Sequence, residues 1–130
     1  MDVTKWGKIT PTIKSDGRII IKFTAIAMGH DLCIVVCGGD LPHLGAAALA
    51  QCCASMENPL EMSASVSVLT LLGHKEDQLV SWVAARISRS IGTNVVVLCG
   101  IHLDDICKTE IETIRSMVDE WCDEFIQAIS

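Results

Sequence analysis

Three loops rich in glycine, histidine and aspartate carry most of the side chains that could do chemistry. They cover residues 38–43 (GGDLPH), 73–77 (GHKED) and 100–105 (GIHLDD), and each follows an apolar run. Backbone N–H groups of glycine-rich turns and of helix N-termini bind anions. The loops therefore predict a site for a phosphate or carboxylate group, although neither GxGxxG nor GxxxxGK[ST] occurs in the chain.

Six of the predicted ligand-binding residues have a role suited to an anion. Gly38 and Gly39 would offer N–H groups, Lys75 would neutralise phosphate charge, and three histidines would orient the ligand. The predicted set is Gly38, Gly39, Asp40, His43, Gly73, His74, Lys75, Asp77, His102 and Asp104. The alternative is a purely structural role, because glycine and aspartate are common in any turn between a strand and a helix.

Other chemistries have weaker support in the sequence. No HxxxH, HExxH or CxxC spacing occurs, and Cys33 and Cys37 would lie roughly 13 Å apart on a strand, so no metal is expected. Cys99 could act as a nucleophile with His102 or His74, but it ends an apolar strand, where nothing lowers a thiol pKa. We therefore assign no catalytic residue.

Hydrophobic periodicity predicts the order β-β-β-α-β-α-β-α. Strands are expected at Ile9–Lys14, Arg18–Met28, Leu32–Cys37, Ser63–Leu72 and Asn94–Cys99. Helices are expected over the Ala-rich stretch Leu41–Gln51, with Asp40 as its cap, over Lys75–Ile91, and after a Thr109-x-x-Glu112 capping box. A loop is expected over residues 52–62.

These elements predict one α/β domain over residues 1–130. The N-terminal strands should be antiparallel, and the rest of the chain should follow the order β-α-β-α-β-α. All strands should form one mixed sheet, on which the three helices pack. A helix between the last two strands implies that they run parallel through a right-handed crossover. If the strands before the three loops are parallel, the loops gather at one sheet edge, where open α/β folds bind ligands.

Composition limits the function classes. The net charge of −6 disfavours nucleic-acid binding, which depends on dense Lys/Arg contacts to phosphates. No apolar run reaches the roughly 18 residues of a membrane helix, and the N-terminus does not resemble a signal peptide, so we expect a cytoplasmic protein with reduced thiols. The hydrophobic fraction is 50%, and Cys122 and Ile126 widen the last helix's apolar stripe, which predicts a homodimer.

The three motifs 38–46, 73–79 and 100–106 together resemble those of the LpdD-like proteins. These are accessory D-type subunits associated with gallate decarboxylase, described as prenylated-flavin chaperone-like. The resemblance runs from about residue 18 to the last helix. This family is similar in fold to proteasome-assembly chaperones, which are small α/β proteins that work as dimers.

The resemblance implies a non-catalytic helper that handles prenylated flavin mononucleotide or another phosphorylated ligand, or assists maturation of a decarboxylase partner of that cofactor class. A flavin ribityl phosphate or a prenyl phosphate would suit the anion-binding edge. The alternative from the residues is a small enzyme using histidines as acid–base groups on a phosphorylated or carboxylated substrate. A third interpretation is a pure assembly partner whose loops are structural.

Overall fold

The computed structural model describes residues 11–58, 60–71 and 76–129. Within these ranges the chain forms six strands and two helices. In chain order they are β1 (Thr12–Asp16), β2 (Ile19–Met28), β3 (Asp31–Gly39), β4 (Ala46–Ala54), β5 (Met62–Thr70), α1 (Asp77–Ile91), β6 (Val95–His102) and α2 (Lys108–Ile129). The predicted α/β class is confirmed, but the predicted number of helices, three, is wrong.

The strands form one mixed sheet in the order β1-β2-β3-β6-β4-β5. β3 and β6 pair in parallel, and every other neighbouring pair is antiparallel. β3, β5 and β6 therefore run in the same direction, and their carboxyl ends lie at one edge, which we call the upper edge. The antiparallel N-terminal strands are confirmed. The last two strands run parallel as predicted, although β4 lies between them.

One face of the sheet is buried under both helices. Period-2 alternation places Ile19, Ile21 and Phe23 of β2 in the core, where each is at most 3% exposed. The Phe23 ring stacks on that of Trp121 in α2, with ring centroids 4.8 Å apart. α1 packs on β4, β5 and β6 of the same sheet. Apolar side chains at helical spacing on α1 and α2 thus meet apolar side chains at strand spacing.

The predicted helix over Leu41–Gln51 is wrong, because residues 46–54 form the internal strand β4. Alanine favours helix locally, but β4 pairs with β5 on one side and β6 on the other. Ala46, Ala48 and Ala50 are at most 2% exposed on the side where α1 packs. Their small side chains let the helix approach the sheet closely, which overrides alanine's intrinsic preference.

Smaller corrections concern the ends of elements. β4 extends to Ala54 and β5 begins at Met62, so the predicted loop 52–62 shortens to residues 55–61. The predicted capping box is wrong because α2 begins at Lys108. The Cys107 N–H donates to Glu110 Oε1 at 3.2 Å instead, and the Thr109 carbonyl accepts a hydrogen bond from Thr113. The first predicted strand begins at Ile9, which lies outside the described residues.

The connection between β3 and β4 must pass over the end of β6, because β6 lies between them. It does so at Gly100, where a Cβ atom would lie 1.4 Å from the carbonyl oxygen of His43. Gly45 N then donates to Cys99 O at 2.8 Å, next to the first residue pair of β4 with β6. Position 100 therefore has room for glycine alone.

The apolar stripe of α2 is used within the chain. Cys122 is 0% exposed, and Ile126 packs against the core formed by the sheet and the two helices. One of the two grounds for the predicted homodimer, the widened apolar stripe of the last helix, is therefore wrong, and the homodimer itself stays a prediction. In the described part of the chain, no helix is both long and apolar enough to cross a membrane.

We predict that Gly100→Ala destabilises the fold by about 3 kcal/mol, the upper end of the cost of overpacking, because the new methyl group must displace the loop at His43. Gly17→Ala is the control. Gly17 has a φ of 59° and open space around its Cβ position, so only backbone strain of about 1–2 kcal/mol is expected. Urea unfolding measures both changes. An equal or smaller effect at Gly100 would show that the loop yields easily.

Candidate functional site

The connection between β3 and β4, residues 40–45, which we call the crossover loop, brings two predicted site residues together at the upper edge. His43 lies in this loop and His102 ends β6, and their ring centroids are 6.0 Å apart in an edge-on arrangement. His102 Nε2 lies 3.0 Å from Asp104 Oδ1. His43 Nε2 lies 3.8 Å from Oε1 of Glu76, the residue just before α1. Two imidazoles, each beside a carboxylate, therefore share one edge of the sheet.

Asp40 ties two loops together rather than capping a helix. Its Oδ2 atom accepts a hydrogen bond from the Asp104 N–H at 2.9 Å, and its own N–H donates to the His102 carbonyl at 2.7 Å. Gly39, with a φ of 81°, packs so tightly that a Cβ atom would lie 2.0 Å from His102 O. Gly38 is buried in the same strand. These positions have a structural role, which the sequence left open as the alternative, and anion binding by them stays a prediction.

Arg18 connects four segments at this edge. Its guanidinium donates to both carboxylate oxygens of Glu110 in α2, at 2.7 and 2.8 Å, and to the Asp104 carbonyl at 2.8 Å. A further contact, to Asp40 Oδ2, measures 3.4 Å. The hydrogen bond from Arg18 lowers the pKa of Glu110 to about 2. Arg18 thus links the start of β2 to the crossover loop, the β6–α2 loop and the first turn of α2.

A cleft of about 710 Å³ opens beside the two histidines. Its floor is the end of β6, and α1 and α2 form its walls. The apolar lining includes Leu79, Trp82, Ile101, Leu103, Ile111 and Ile114, and the polar lining includes His43, Glu76, His102 and Arg115. Ligand pockets are typically of about 300–1,000 Å³ and mostly apolar with a few polar groups, so this cleft has the size and character of a small-molecule site.

Trp82 is the aromatic side chain of the cleft. It is 40% exposed, and the Arg86 guanidinium carbon lies 5.4 Å from its ring centroid. Arg86 also forms ion pairs across to α2, with Asp119 at 2.7 Å and with Asp123. The ion pairs join α1 to α2 beside the cleft, and the same guanidinium lies over the Trp82 ring.

Several cleft residues were missed by the sequence analysis, namely Glu76, Trp82, Ile111 and Arg115. One signal could have found Trp82. The buried positions of α1 are Val80, Val83, Ala84, Ile87, Ser88 and Ile91, and Trp82 falls outside that stripe. A large aromatic residue outside the core stripe of a helix is a candidate for ligand contact.

Other predicted site residues lie elsewhere. Asp77 is the exposed first residue of α1 and does not line the cleft. Gly73, His74 and Lys75 lie outside the described residues, so their part in a site stays a prediction. Burial raises the pKa of Cys99 to about 12, which disfavours it as a nucleophile. Among the residues described, no group of three or more His, Cys, Asp or Glu side chains is arranged to hold a metal ion.

Fold and cleft together define a small α/β domain with a ligand-sized, mainly apolar cavity at the carboxyl ends of its parallel strands. Residues 15–130 match the family described as prenylated flavin chaperone LpdD-like domain, so the chain belongs to that family. Protein LpdD of Lactiplantibacillus plantarum is 28% identical over 100 residues, which are 72% of this chain and 65% of that protein. The resemblance carried by the three motifs is therefore confirmed.

A solved structure shows the same fold. A chain in the crystal structure of a chaperone complex for yeast 20S proteasome assembly superposes with a TM-score of 0.59, at 13% identity, over 95% of this chain and 98% of that one. The expected similarity to proteasome-assembly chaperones is confirmed at the level of fold.

The Arg18–Glu110 contact predicts how stability depends on pH. The folded-state pKa of Glu110, about 2, is below its ordinary value of 4.5, so its contribution is present above pH 4.5 and is lost between about pH 4.5 and 2. We expect Glu110→Gln to lower stability to urea at pH 7 and to have almost no effect at pH 2. Glu112→Gln, at an exposed position of the same helix, should have little effect at either pH. A pH-independent effect of Glu110→Gln would contradict this account.

Proposed function

We propose that this protein is a non-catalytic accessory protein that holds a prenylated flavin in the cleft between α1 and α2 and assists a decarboxylase that uses this cofactor. The observation that carries the proposal is the apolar cleft of about 710 Å³ with an exposed indole in its wall. An isoalloxazine ring with a prenyl extension is large, flat and mostly apolar, and it needs burial and an aromatic partner more than it needs charge.

The polar groups of the cleft suit the rest of such a ligand. His43 and His102 at the mouth can hydrogen-bond ring carbonyl and ring nitrogen atoms of a flavin. Arg115 in the wall offers a guanidinium, which matches phosphate oxygens. Flavin chemistry belongs to the bound group, whereas the chain's own residues would bind it, orient it and exclude water.

A phosphate bound at the upper edge, as the sequence predicts, needs a positively charged side chain that does not already form ion pairs within the chain. Arg18 is engaged by the carboxylates of Glu110 and Asp40. The candidates are therefore Lys75, predicted from its place in the second loop, and Arg115 in the wall of the cleft. The family name supports the flavin part of the proposal, and the phosphate contact is our own extension of it.

The first test uses the fluorescence of Trp82. Titration with flavin mononucleotide should quench part of the emission of the wild-type protein, and Trp82→Phe should remove most of that quenching. Trp82→Ala should weaken binding about tenfold, because stacking on an aromatic side chain contributes about 1–3 kcal/mol. Met56→Ala, at a 99% exposed hairpin position remote from the cleft lining, is the control and should bind normally. Equal binding by Trp82→Ala would place any flavin outside the cleft.

The second test concerns the phosphate. Flavin mononucleotide should raise the melting temperature more than riboflavin, because a ligand that binds only the folded state stabilises it in proportion to its affinity. Lys75→Ala should remove most of that difference and barely change the melting temperature of the free protein. Lys108→Ala, at an exposed position of α2, is the matched control. If Arg115→Ala removes the difference and Lys75→Ala does not, the phosphate lies against α2.

A second candidate function, a small acid–base enzyme, is favoured by the two histidine–carboxylate pairs. His102 lies 3.0 Å from Asp104, and His43 lies 3.8 Å from Glu76, and a carboxylate beside an imidazole orients it for proton transfer. Turnover of a phosphorylated or carboxylated substrate that disappears in both His43→Ala and His102→Ala would establish this function in place of the accessory one.

A further inference from the structure

The two outermost strands of the sheet, β1 and β5, differ in how well their free sides are protected. β1 has only five residues, and its Lys14 forms ion pairs with Glu120 and Glu124 of α2, at 3.3 and 3.1 Å. Short length and inward-pointing charge keep an edge strand from pairing with another chain. β5 has nine residues, Met62–Thr70, with no charged side chain, proline or glycine among them. β5 therefore lacks the features that block an edge.

The register of β5 with β4 shows which backbone groups face outward. Leu71 N donates to Gly45 O and Ser55 N donates to Glu61 O, each at 2.9 Å and in register with the pairs of β4 and β5. Because successive residues of a strand direct their N–H and C=O groups to opposite sides, the odd-numbered residues of β5 bind β4. The even-numbered residues direct theirs to a side on which the described chain has no strand. They are Met62, Ala64, Val66, Val68 and Thr70.

Side chains of the same even-numbered residues leave the core incompletely covered at this edge. Ala64, Val66 and Val68 pack against the core formed by the sheet and the helices, yet each remains only half-buried. Their neighbours on β4, Ala48 and Ala50, are 0% exposed. A further strand with apolar side chains on the α1 side would bury the exposed parts of these residues and would also form backbone hydrogen bonds.

We propose that β5 is a docking edge for an extended segment of another protein, which adds a strand to the sheet. The segment has apolar side chains at alternate positions, facing α1, and basic residues at both of its ends. Backbone hydrogen bonds give the affinity and the alternate apolar positions give the specificity, as in other complexes formed by strand addition. No residue of β5 lines the cleft, so the proposal does not depend on whether the cleft binds a flavin.

Charge around β5 favours a basic segment over a second copy of the chain. Glu57 and Glu61 are exposed in the hairpin that precedes Met62, and Asp77 is exposed in the first turn of α1, which begins at the upper edge and packs on β5. Two copies of β5 paired antiparallel would bring the glutamates of each copy toward the aspartate of the other. Carboxylates would then repel at both ends. A segment with lysine or arginine at its ends places opposite charges there instead.

The first test uses the synthetic peptide KKTVTVTVTKK, labelled with fluorescein and titrated with the full chain while its fluorescence anisotropy is measured. We expect saturable binding of one peptide per chain. The peptide EETVTVTVTEE keeps the alternation but has acidic ends, and it should bind at least about tenfold more weakly because its ends repel the carboxylates around β5. Glu57→Lys combined with Glu61→Lys should reverse this preference.

Backbone methylation of the peptide tests strand addition without altering the protein. The central valine of KKTVTVTVTKK faces α1 when the peptide pairs with β5, so its N–H points at the edge. N-methylation of this valine should abolish binding, because it removes a hydrogen bond and places a methyl group between the strands. N-methylation of the threonine beside it, whose N–H points away from β5, should leave binding nearly unchanged. Equal binding by the two methylated peptides would show that the peptide does not add as a strand.

A proline variant tests the edge from the side of the protein. Ala64→Pro removes one outward N–H and keeps the hydrogen bonds to β4, since proline is tolerated where the N–H of an edge strand faces away from the sheet. It should weaken peptide binding about tenfold, which corresponds to about 1.4 kcal/mol for one lost hydrogen bond. Ser65→Ala, at the adjacent exposed residue whose N–H binds β4, is the control and should bind like the wild-type chain.

Hydrogen exchange of the wild-type chain needs no variant and decides the question if Ala64→Pro fails to fold. In the free protein, the amides of Ala64, Val66 and Val68 should exchange at least about tenfold faster than those of Ser65 and Ser67, because only the latter bind β4. Adding KKTVTVTVTKK should protect the first three amides alone. Protection of these three in the free chain that rises with its concentration would assign the edge to a second copy. That result, or no binding of KKTVTVTVTKK, would overturn the proposal.

Discussion

The contact between the His43 carbonyl and Gly100 is the constraint on which the upper edge depends. β6 is the last strand in the chain but lies between β3 and β4, so the connection from β3 to β4 must cross the end of β6. The crossing has room because residue 100 has no Cβ. As a consequence, His43 lies beside His102 and Glu76 lies beside His43, although these residues are far apart in the chain. Packing therefore explains the glycines at positions 39 and 100 of the first and third motifs.

The two helices of the described chain are enough to cover only one face of the six-stranded sheet. Helices pack about 8–10 Å apart, so α1 and α2 together cover about 20 Å, close to the width of one face of a six-stranded sheet. Both helices lie on the same face, and the cleft lies between them. The opposite face carries exposed apolar side chains such as Ile26, Leu49 and Leu69, and no described helix or strand covers it.

Electrostatics at the upper edge is organised around a few cations. The Arg18 guanidinium contacts the carboxylates of Glu110 and Asp40 and the carbonyl of Asp104. These contacts hold the loops together, and the two carboxylates neutralise the positive charge of Arg18. Arg86 has the same role beside the cleft, with the carboxylates of α2 and the ring of Trp82. The cleft offers mainly apolar and aromatic surface, which is typical of small-molecule sites.

The sequence by itself determined the elements whose signals are local. The period-2 runs of β2 and β3 and the 3.6-residue stripes of α1 and α2 follow from local periodicity, and the three motifs identified the family. Tertiary structure alone decided that residues 46–54 form a strand, because pairing on both sides outweighs the helix propensity of alanine. Tertiary structure also formed the cleft, because Trp82, Arg115 and His43 line the same cavity only when α1, α2 and the crossover loop pack together. Local periodicity carries no information about such contacts between distant segments, and for that reason the site could be predicted only in part.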